Sequence, residues 1–165
     1  LFWAEIYPTH VQEEHLQFLS QVGTSYLGVG LQSLDPAVLK LHDRPLDRGR
    51  FEKAMGQLTA VTTAEIQIIF GLPGDTPEGF RRTLAYARTF PVAVRAYHCL
   101  VLPDALMSRG RPGWDMRYDP VNLAMISCLG WGEEDILSMR AELDLETASC
   151  GGKSGKYWWS FPRKP

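Results

Sequence analysis

The stretch IQIIFGLPGDTPEG, Ile66 to Gly79, decides the fold class. A short apolar run stops at Gly71-Leu72-Pro73-Gly74, and Thr76-Pro77 follows as a helix N-cap with proline in the first turn. This reads as a strand whose C-terminal end enters a tight glycine-rich turn, where α/β proteins gather ligand-binding groups. Working outward, Tyr26 to Ser33 (YLGVGLQS) is a second strand with the same kind of ending, and Leu1 to Tyr7 is a short β-rich opening. Thr9 and Gln12 fit a capping box ahead of a helix with His15, Phe18, Leu19 and Val22 on one face and Gly23 at its end. Asp35-Pro36 opens a short helix, and Asp47 to Val61 a longer one striped by Phe51, Ala54, Met55 and Leu58. The helix after Thr76 buries Phe80, Thr83, Leu84 and Ala87, and Val92 to Leu102 is a further strand ended by Pro103.

The order β-α-β-α-α-β-α-β predicts an α/β fold of parallel strands joined by right-handed crossovers. Its strands are too few to close a barrel, which takes about eight. Beyond Pro103 the pattern changes. Residues 104–125 hold turn residues without a clear strand, Glu133 to Leu143 reads as a helix with acids in its first turn, and Gly151 to Pro165 is Gly-rich, basic and aromatic. The expected division is 1–103 and 104–165, the second part mainly irregular and helical.

The chain has 165 residues, 45% of them apolar, enough for one core. A net charge of −2 provides no general attraction for nucleic acid. No run approaches the roughly 20 apolar residues of a membrane span, so no membrane partner is expected. Cys99, Cys128 and Cys150 form neither a CxxC pair nor an even disulfide set, which makes a reducing cytoplasm the default expectation. The chain opens in mid-strand without a Met, so a fragment cut on its N-terminal side is expected.

Side chains alternate along strands. Leu27, Val29 and Leu31 should meet helices, as should Ile66, Ile68 and Phe70. The opposite face carries Tyr26, Gly28, Gly30 and Gln32 on one strand, and Glu65, Gln67, Ile69 and Gly71 on another. In the first strand Glu5 shares its face with Trp3 and Tyr7. Glu5, Gln32 and Gln67 therefore fall on one inner face, with two glycines clearing space beside them, a pattern suited to a polar ligand. Each also has a plain structural reading: a solvent-facing acid, tight strand packing, a hydrogen-bonding amide.

Other motifs carry less. GLPGDTPEG lacks the Gly-Lys-Ser/Thr ending of a P-loop, and GVGLQS is not a dinucleotide fingerprint. His10, His15, His42 and His98 show no metal spacing, and His98 alone stays a pocket candidate. Ser33 has no local activating base. Arg44, Arg48 and Arg50 form a basic cluster from which Arg44 could reach a ligand carboxylate.

Glu5-Ile6-Tyr7-Pro8, YLGVGLQS with Arg44 downstream, IQIIFGLPGDTPEGF and YHCLVLP together resemble the third to sixth strands of the radical S-adenosylmethionine enzymes, on the branch with the HemN/elongator-type core. YDPVNLAMISCLGW, EEDILSMRAEL and YWWSFP resemble the C-terminal extension of cobalamin-associated members. The resemblance implies the C-terminal half of a partial (β/α)6 TIM-like barrel. It implies S-adenosylmethionine held at strand ends, a 4Fe-4S cluster on a CxxxCxxC motif, and, in some members, cobalamin. Carried onto this chain, Glu5 is the third-strand acid, Gln32 lies near ribose and methionine with Gly28, Gly30 and Ser33 beside it, and Arg44 pairs with the carboxylate. Gln67 stands where relatives often have an acid, and Ile69 to Leu72, Gly71 included, line the adenine pocket with Val101. CxxxCxxC is absent, so the resemblance implies that cluster ligands come from an N-terminal half of the same protein. The substrate is a small molecule the residues do not name. Two further readings stay open: a non-catalytic ligand- or protein-binding remnant, and an RNA-modifying enzyme touching RNA through Lys153, Lys156, Arg163, Lys164 and the aromatic residues Tyr157, Trp158, Trp159 and Phe161.

Overall fold

The computed structural model describes residues 2–164, apart from the side chain of Thr9. Its main sheet has the order β1 (Phe2–Ile6), β2 (Ser25–Gln32), β3 (Thr63–Phe70), β4 (Ala93–His98), β8 (Trp158–Phe161), β7 (Lys153–Gly155). β1 to β4 are mutually parallel, with Glu5 opposite Gly28, Gly28 opposite Glu65, and Gln67 opposite Arg95. The helices α1 (Glu13–Gln21), α2 (Pro36–Leu41), α3 (Arg48–Val61) and α4 (Pro77–Ala87) make the crossovers. The parallel, alternating arrangement is the one the sequence order predicts.

Helix starts follow local chemistry. Asp35 Oδ1 accepts from Ala37 N (2.8 Å) and Val38 N (3.3 Å), Asp47 Oδ1 from Arg50 N (3.0 Å), and Thr76 Oγ1 from Gly79 N (3.0 Å). Each cap satisfies backbone N–H groups that the first turn cannot. α1 differs from expectation. Its N-cap is Gln12, whose N–H donates to His15 Nδ1 at 3.1 Å, and residues 8–10 form a separate 3-10 turn. The Thr9 side chain of the expected capping box lies outside the described residues. α1 buries Leu16 and Leu19 and leaves Phe18 exposed, its ring edge-on to Phe2 at 5.6 Å.

The helix-facing side of the sheet is the one expected: Leu27, Val29 and Leu31 from β2, and Ile66, Ile68 and Phe70 from β3, are all buried. Phe70 stacks on His98 (centroids 4.8 Å apart) and meets Phe80 at 5.6 Å and Trp159 at 5.4 Å. Burying a side chain of this size contributes about 2–3 kcal/mol.

Beyond residue 103 the chain is more regular than expected. It adds β5 (Arg117–Tyr118) paired antiparallel with β6 (Met125–Ser127), α5 (Glu133–Ser149), and the β7–β8 hairpin. β8 runs antiparallel along β4, with Ala96 opposite Trp159 and Val94 opposite Phe161. The cause is alternation: Trp159 and Phe161 fall on the helix-facing side and join the core, where Trp131, Ile136, Met139 and Leu143 also pack. β4 itself ends at His98, short of the expected Leu102; Cys99 N then donates to Phe70 O (3.0 Å) and Val101 N to Leu123 O (2.8 Å). Two ion pairs, Arg81 with Glu142 at 2.7 Å and Arg88 with Glu146, tie α4 to α5. Among the described residues no helix is long and apolar enough to cross a membrane.

Candidate functional site

The inner face of β1–β4 is a polar strip laid over glycines. An added Cβ on Gly28 would stand 2.4 Å from Gln67 Nε2, and one on Gly30 would stand 3.1 Å from Gln32 Nε2. The two glycines therefore seat two glutamine amides, one from β3 and one from the end of β2. Gln32 reaches back by an unusual backbone: its φ is +66°, and the β2–β3 register shifts between Gly30 and Gln32. A bulge with a left-handed non-glycine residue re-aims a side chain at a local cost in strain.

Glu65 anchors this strip. It is only 1% exposed. Its Oε2 accepts from Tyr26 Oη at 2.5 Å and forms an ion pair with Arg95 Nη2 at 3.0 Å, and its Oε1 accepts from Gln67 Nε2 at 3.0 Å. Burial, followed by the bond to Glu65, pushes the Tyr26 phenol up. Arg95 lies over the Trp158 ring at 5.3 Å, so the C-terminal hairpin supports the strip from β8. Glu5 occupies the exposed end, on β1 opposite Gly28, roughly 10 Å (two strand spacings) from Glu65.

At the C-terminal ends of β2–β4 lies a cavity of about 520 Å³, walled by Gln32, Ser33, Ile69 and Tyr97 and roofed by the segment that includes Leu106 and Trp114. Arg44 stands on its rim and also on a second, more polar cavity of about 610 Å³ beside Tyr7, His10 and Arg50. The rim is net positive: Arg44, Arg109 and Arg111 border the first cavity together with His42 and the acidic Asp43. His42 holds Pro73 O at 2.8 Å and faces Trp114, its imidazole pushed down mainly by burial.

The structure places the predicted residues as follows. Gln32, Ser33 and Arg44 border the cavity. Gln67 and Gly28 meet one level below it, and Gly30 lies beneath Gln32. Ser33 is buried and its Oγ accepts from Asp35 N at 3.2 Å. Gly71, with φ +80°, is buried against Ile136, and Val101 is fully buried in the core; neither borders the cavity. His98 carries its imidazole on the helix-facing side, against Phe70, with Nε2 bonded to Met125 O (2.7 Å) and Nδ1 to an Arg140 guanidinium nitrogen (2.9 Å). Burial lowers its pKa to about 4, which keeps it neutral near pH 7. His98 thus lines the cavity, as the sequence reading expects, while its imidazole clamps β4 to β6 and α5.

Sequence reasoning placed Tyr26 and Glu65 on the inner face without giving either a role, and did not bring in Arg95 or Tyr97. The available signal was Glu65 itself, a charged residue inside an apolar strand, two positions from Gln67 and so on the same face.

No family model matches the chain. The oxygen-independent coproporphyrinogen III oxidases of two Helicobacter pylori strains, J99 / ATCC 700824 and ATCC 700392 / 26695, are each 32% identical to it over 84 residues, 50% of this chain and 18% of theirs. The chain thus spans about a fifth of the length of the curated relatives it matches. Among solved structures, the coproporphyrinogen III oxidase HemN of Escherichia coli, described as a radical SAM enzyme, superposes with a TM-score of 0.68 at 21% identity over 98% of this chain and 35% of that one. TsrM of Kitasatospora setae, a radical S-adenosylmethionine methyltransferase, gives 0.60 at 14% identity over 83% of this chain and 35% of that one. Methanocaldococcus infernus Elp3 gives 0.59 at 17% identity over 87% and 41%. The chain therefore has the α/β fold of the radical S-adenosylmethionine enzymes HemN and TsrM, and the family resemblance carried by its motifs is the one that both comparisons return.

Proposed function

We propose that this chain forms the S-adenosylmethionine-holding part of a radical SAM enzyme, in a partial barrel completed by further strands of the same protein. The observation that carries this reading is the paired amides of Gln32 and Gln67 over Gly30 and Gly28, beside a strand-end cavity rimmed by Arg44. A nucleoside joined to an amino acid fits such a surface. Arg44 pairs with its carboxylate in a charge-assisted contact, Glu5 takes its ammonium, and the amides bond its hydroxyls. Ile69 and Leu72 offer the base an apolar wall, and the roof around Trp114 limits water at the mouth. When bound and reduced, S-adenosylmethionine supplies hydrogen-abstracting radical chemistry; the residues of this chain bind and orient it.

A 4Fe-4S cluster does not fit this chain. Among the described residues no three His, Cys, Asp or Glu side chains gather to hold a metal. Cys99 and Cys128 are buried, and burial pushes both thiols up, Cys128 to about 12, against the thiolate that iron requires. Cluster ligands belong to residues outside these 165. Cobalamin enters through the likeness to TsrM, a structure of which holds cobalamin and a [4Fe-4S] cluster. For the RNA-modifying reading, Trp159 and Phe161 of the tail are core residues, and Tyr157 and Trp158 are half-buried.

The test uses the full reading frame, with its cluster reconstituted. Arg44→Ala and Gln32→Ala should each weaken S-adenosylmethionine binding by about tenfold or more while leaving iron content unchanged, since each removes a bond to a charged or buried polar group. Binding that both variants leave unaltered overturns the reading. Cobalt measured in the same preparations decides cobalamin use.

A further inference from the structure

Gln67 can present its ligand with either of two chemistries, a carbonyl acceptor or an NH2 donor, and nothing in its own structure selects one. Here its neighbour does. Glu65 Oε1 lies 3.0 Å from the Gln67 amide nitrogen, and a carboxylate accepts hydrogen bonds without donating any. The flipped amide would set oxygen against oxygen. Glu65 cannot turn away, because its other oxygen is held by Tyr26 Oη (2.5 Å) and Arg95 Nη2 (3.0 Å). Arg95 in turn rests on Trp158. The amide is also packed over Gly28, close enough that an added Cβ there would stand 2.4 Å from Nε2 and 2.7 Å from Cδ. Gln67 Oε1 accepts no hydrogen bond within the chain among the described residues, although the residue is only 6% exposed.

We infer that Glu65 is a positioning residue that locks Gln67 with its carbonyl oxygen free, so that this site selects a ligand group that donates, a hydroxyl. The same arrangement makes an amide obligatory at 67, because a carboxylate there would stand against Glu65. The chain of support runs from the C-terminal hairpin through Trp158, Arg95 and Glu65 to the ligand-facing atom. The inference rests on the S-adenosylmethionine reading for the identity of the ligand, and on geometry alone for the lock.

Two measurements separate these. The first needs no ligand: thermal unfolding of the full-length protein without cofactor, as parent, as Gln67→Glu, and as Glu65→Gln with Gln67→Glu. The single variant should melt at least about 5 °C lower, by carboxylate repulsion in a buried site, and the double variant should recover most of the loss. A Gln67→Glu protein that melts with the parent, or a double variant that melts no higher than the single, overturns the lock. The second uses the reconstituted full-length protein with S-adenosylmethionine and its 2′-deoxy and 3′-deoxy counterparts. The parent should bind one deoxy analogue about tenfold more weakly, and Glu65→Gln, which frees the amide to rotate, should shrink that ratio below about threefold. An undiminished ratio in Glu65→Gln overturns the selectivity. A parent that binds none of the three refutes the S-adenosylmethionine reading and the ligand choice, and leaves the unfolding cycle to decide the lock.

Discussion

Gly28 offers a sharp stability test of the strip. In Gly28→Ala the new methyl would sit 2.4 Å from Gln67 Nε2, 2.7 Å from Cδ and 3.0 Å from Oε1. Comfortable heavy-atom contact begins at about 3.5 Å, so the amide must retreat by roughly 1 Å. That retreat pulls it from Glu65, its partner at 3.0 Å. Overpacking costs about 1–3 kcal/mol, and loss of a hydrogen bond to a charged group about 1.5–3. Replacing glycine by alanine returns about 0.4–1 kcal/mol by restricting the unfolded chain, since the φ of Gly28 is not positive. The net expectation is a loss of about 1.5–5 kcal/mol. Gly56 in α3 is the internal control: an added Cβ meets nothing within 4 Å, so Gly56→Ala should stabilise by about 0.5–1 kcal/mol. Urea unfolding followed by far-UV circular dichroism, at a common m value, reads both. In Gly28→Ala with Gln67→Ala the clash disappears, and stability should return to within about 1 kcal/mol of Gln67→Ala alone. Parent-like stability in Gly28→Ala, or a double variant no more stable than it, would refute the claim that Gln67 packs on this glycine.

Two further outcomes follow from other parts of the fold. Gly130→Ala should fail to fold or lose more than about 3 kcal/mol, because φ is +87° and the new Cβ would lie 2.0 Å from Asp75 O, a backbone atom that cannot yield; a chevron or urea midpoint near that of the parent argues against this packing of residue 130 on the GLPGD turn. His98, with its pKa lowered from 6.5 to about 4, binds fewer protons folded than unfolded, so its contribution is present above pH 6.5 and is lost as pH falls toward 4. Its neutral ring accepts from Arg140, and protonation would set two cations together. The expected loss from this group is about 3 kcal/mol between pH 7 and pH 4, and His98→Gln should flatten that slope; an equally steep profile in the variant would assign the acid sensitivity elsewhere.

Much of the fold was legible because its signals are local. Asp35, Asp47 and Thr76 cap their helices as their side chains dictate, whatever lies far away. The alternation in β2 and β3 is set by the pleat, so the buried set of Leu27 to Leu31 and Ile66 to Phe70 could be read directly. The errors occur where the partner is distant in sequence. Lys153 to Phe161 looked like a basic aromatic tail, because the edge of β4 that it covers begins about sixty residues earlier. His98, the histidine kept as a pocket candidate, does line the cavity, but its imidazole is held by Arg140 of α5, a partner 42 residues away that the sequence does not announce. On α1 the expected face is met at Leu19, but the rotation of that helix buries Leu16 beside it and leaves Phe18 exposed.

The site divides in the same way. From its residues alone the chain declares which side chains share the inner face, since strand parity is a property of covalent geometry: Glu5, Gly28, Gly30, Gln32, Glu65 and Gln67 had to fall on one side. What those groups do to one another depends on strand register and order, which only folding decides. Register sets Gln67 beside the bare backbone of β2, a bulge turns Gln32 onto Gly30, and an antiparallel hairpin from the far end of the chain braces Arg95 against Glu65. Hydrogen bonds act over about 3 Å, so a donor and its acceptor become a unit only once the sheet has brought their strands together.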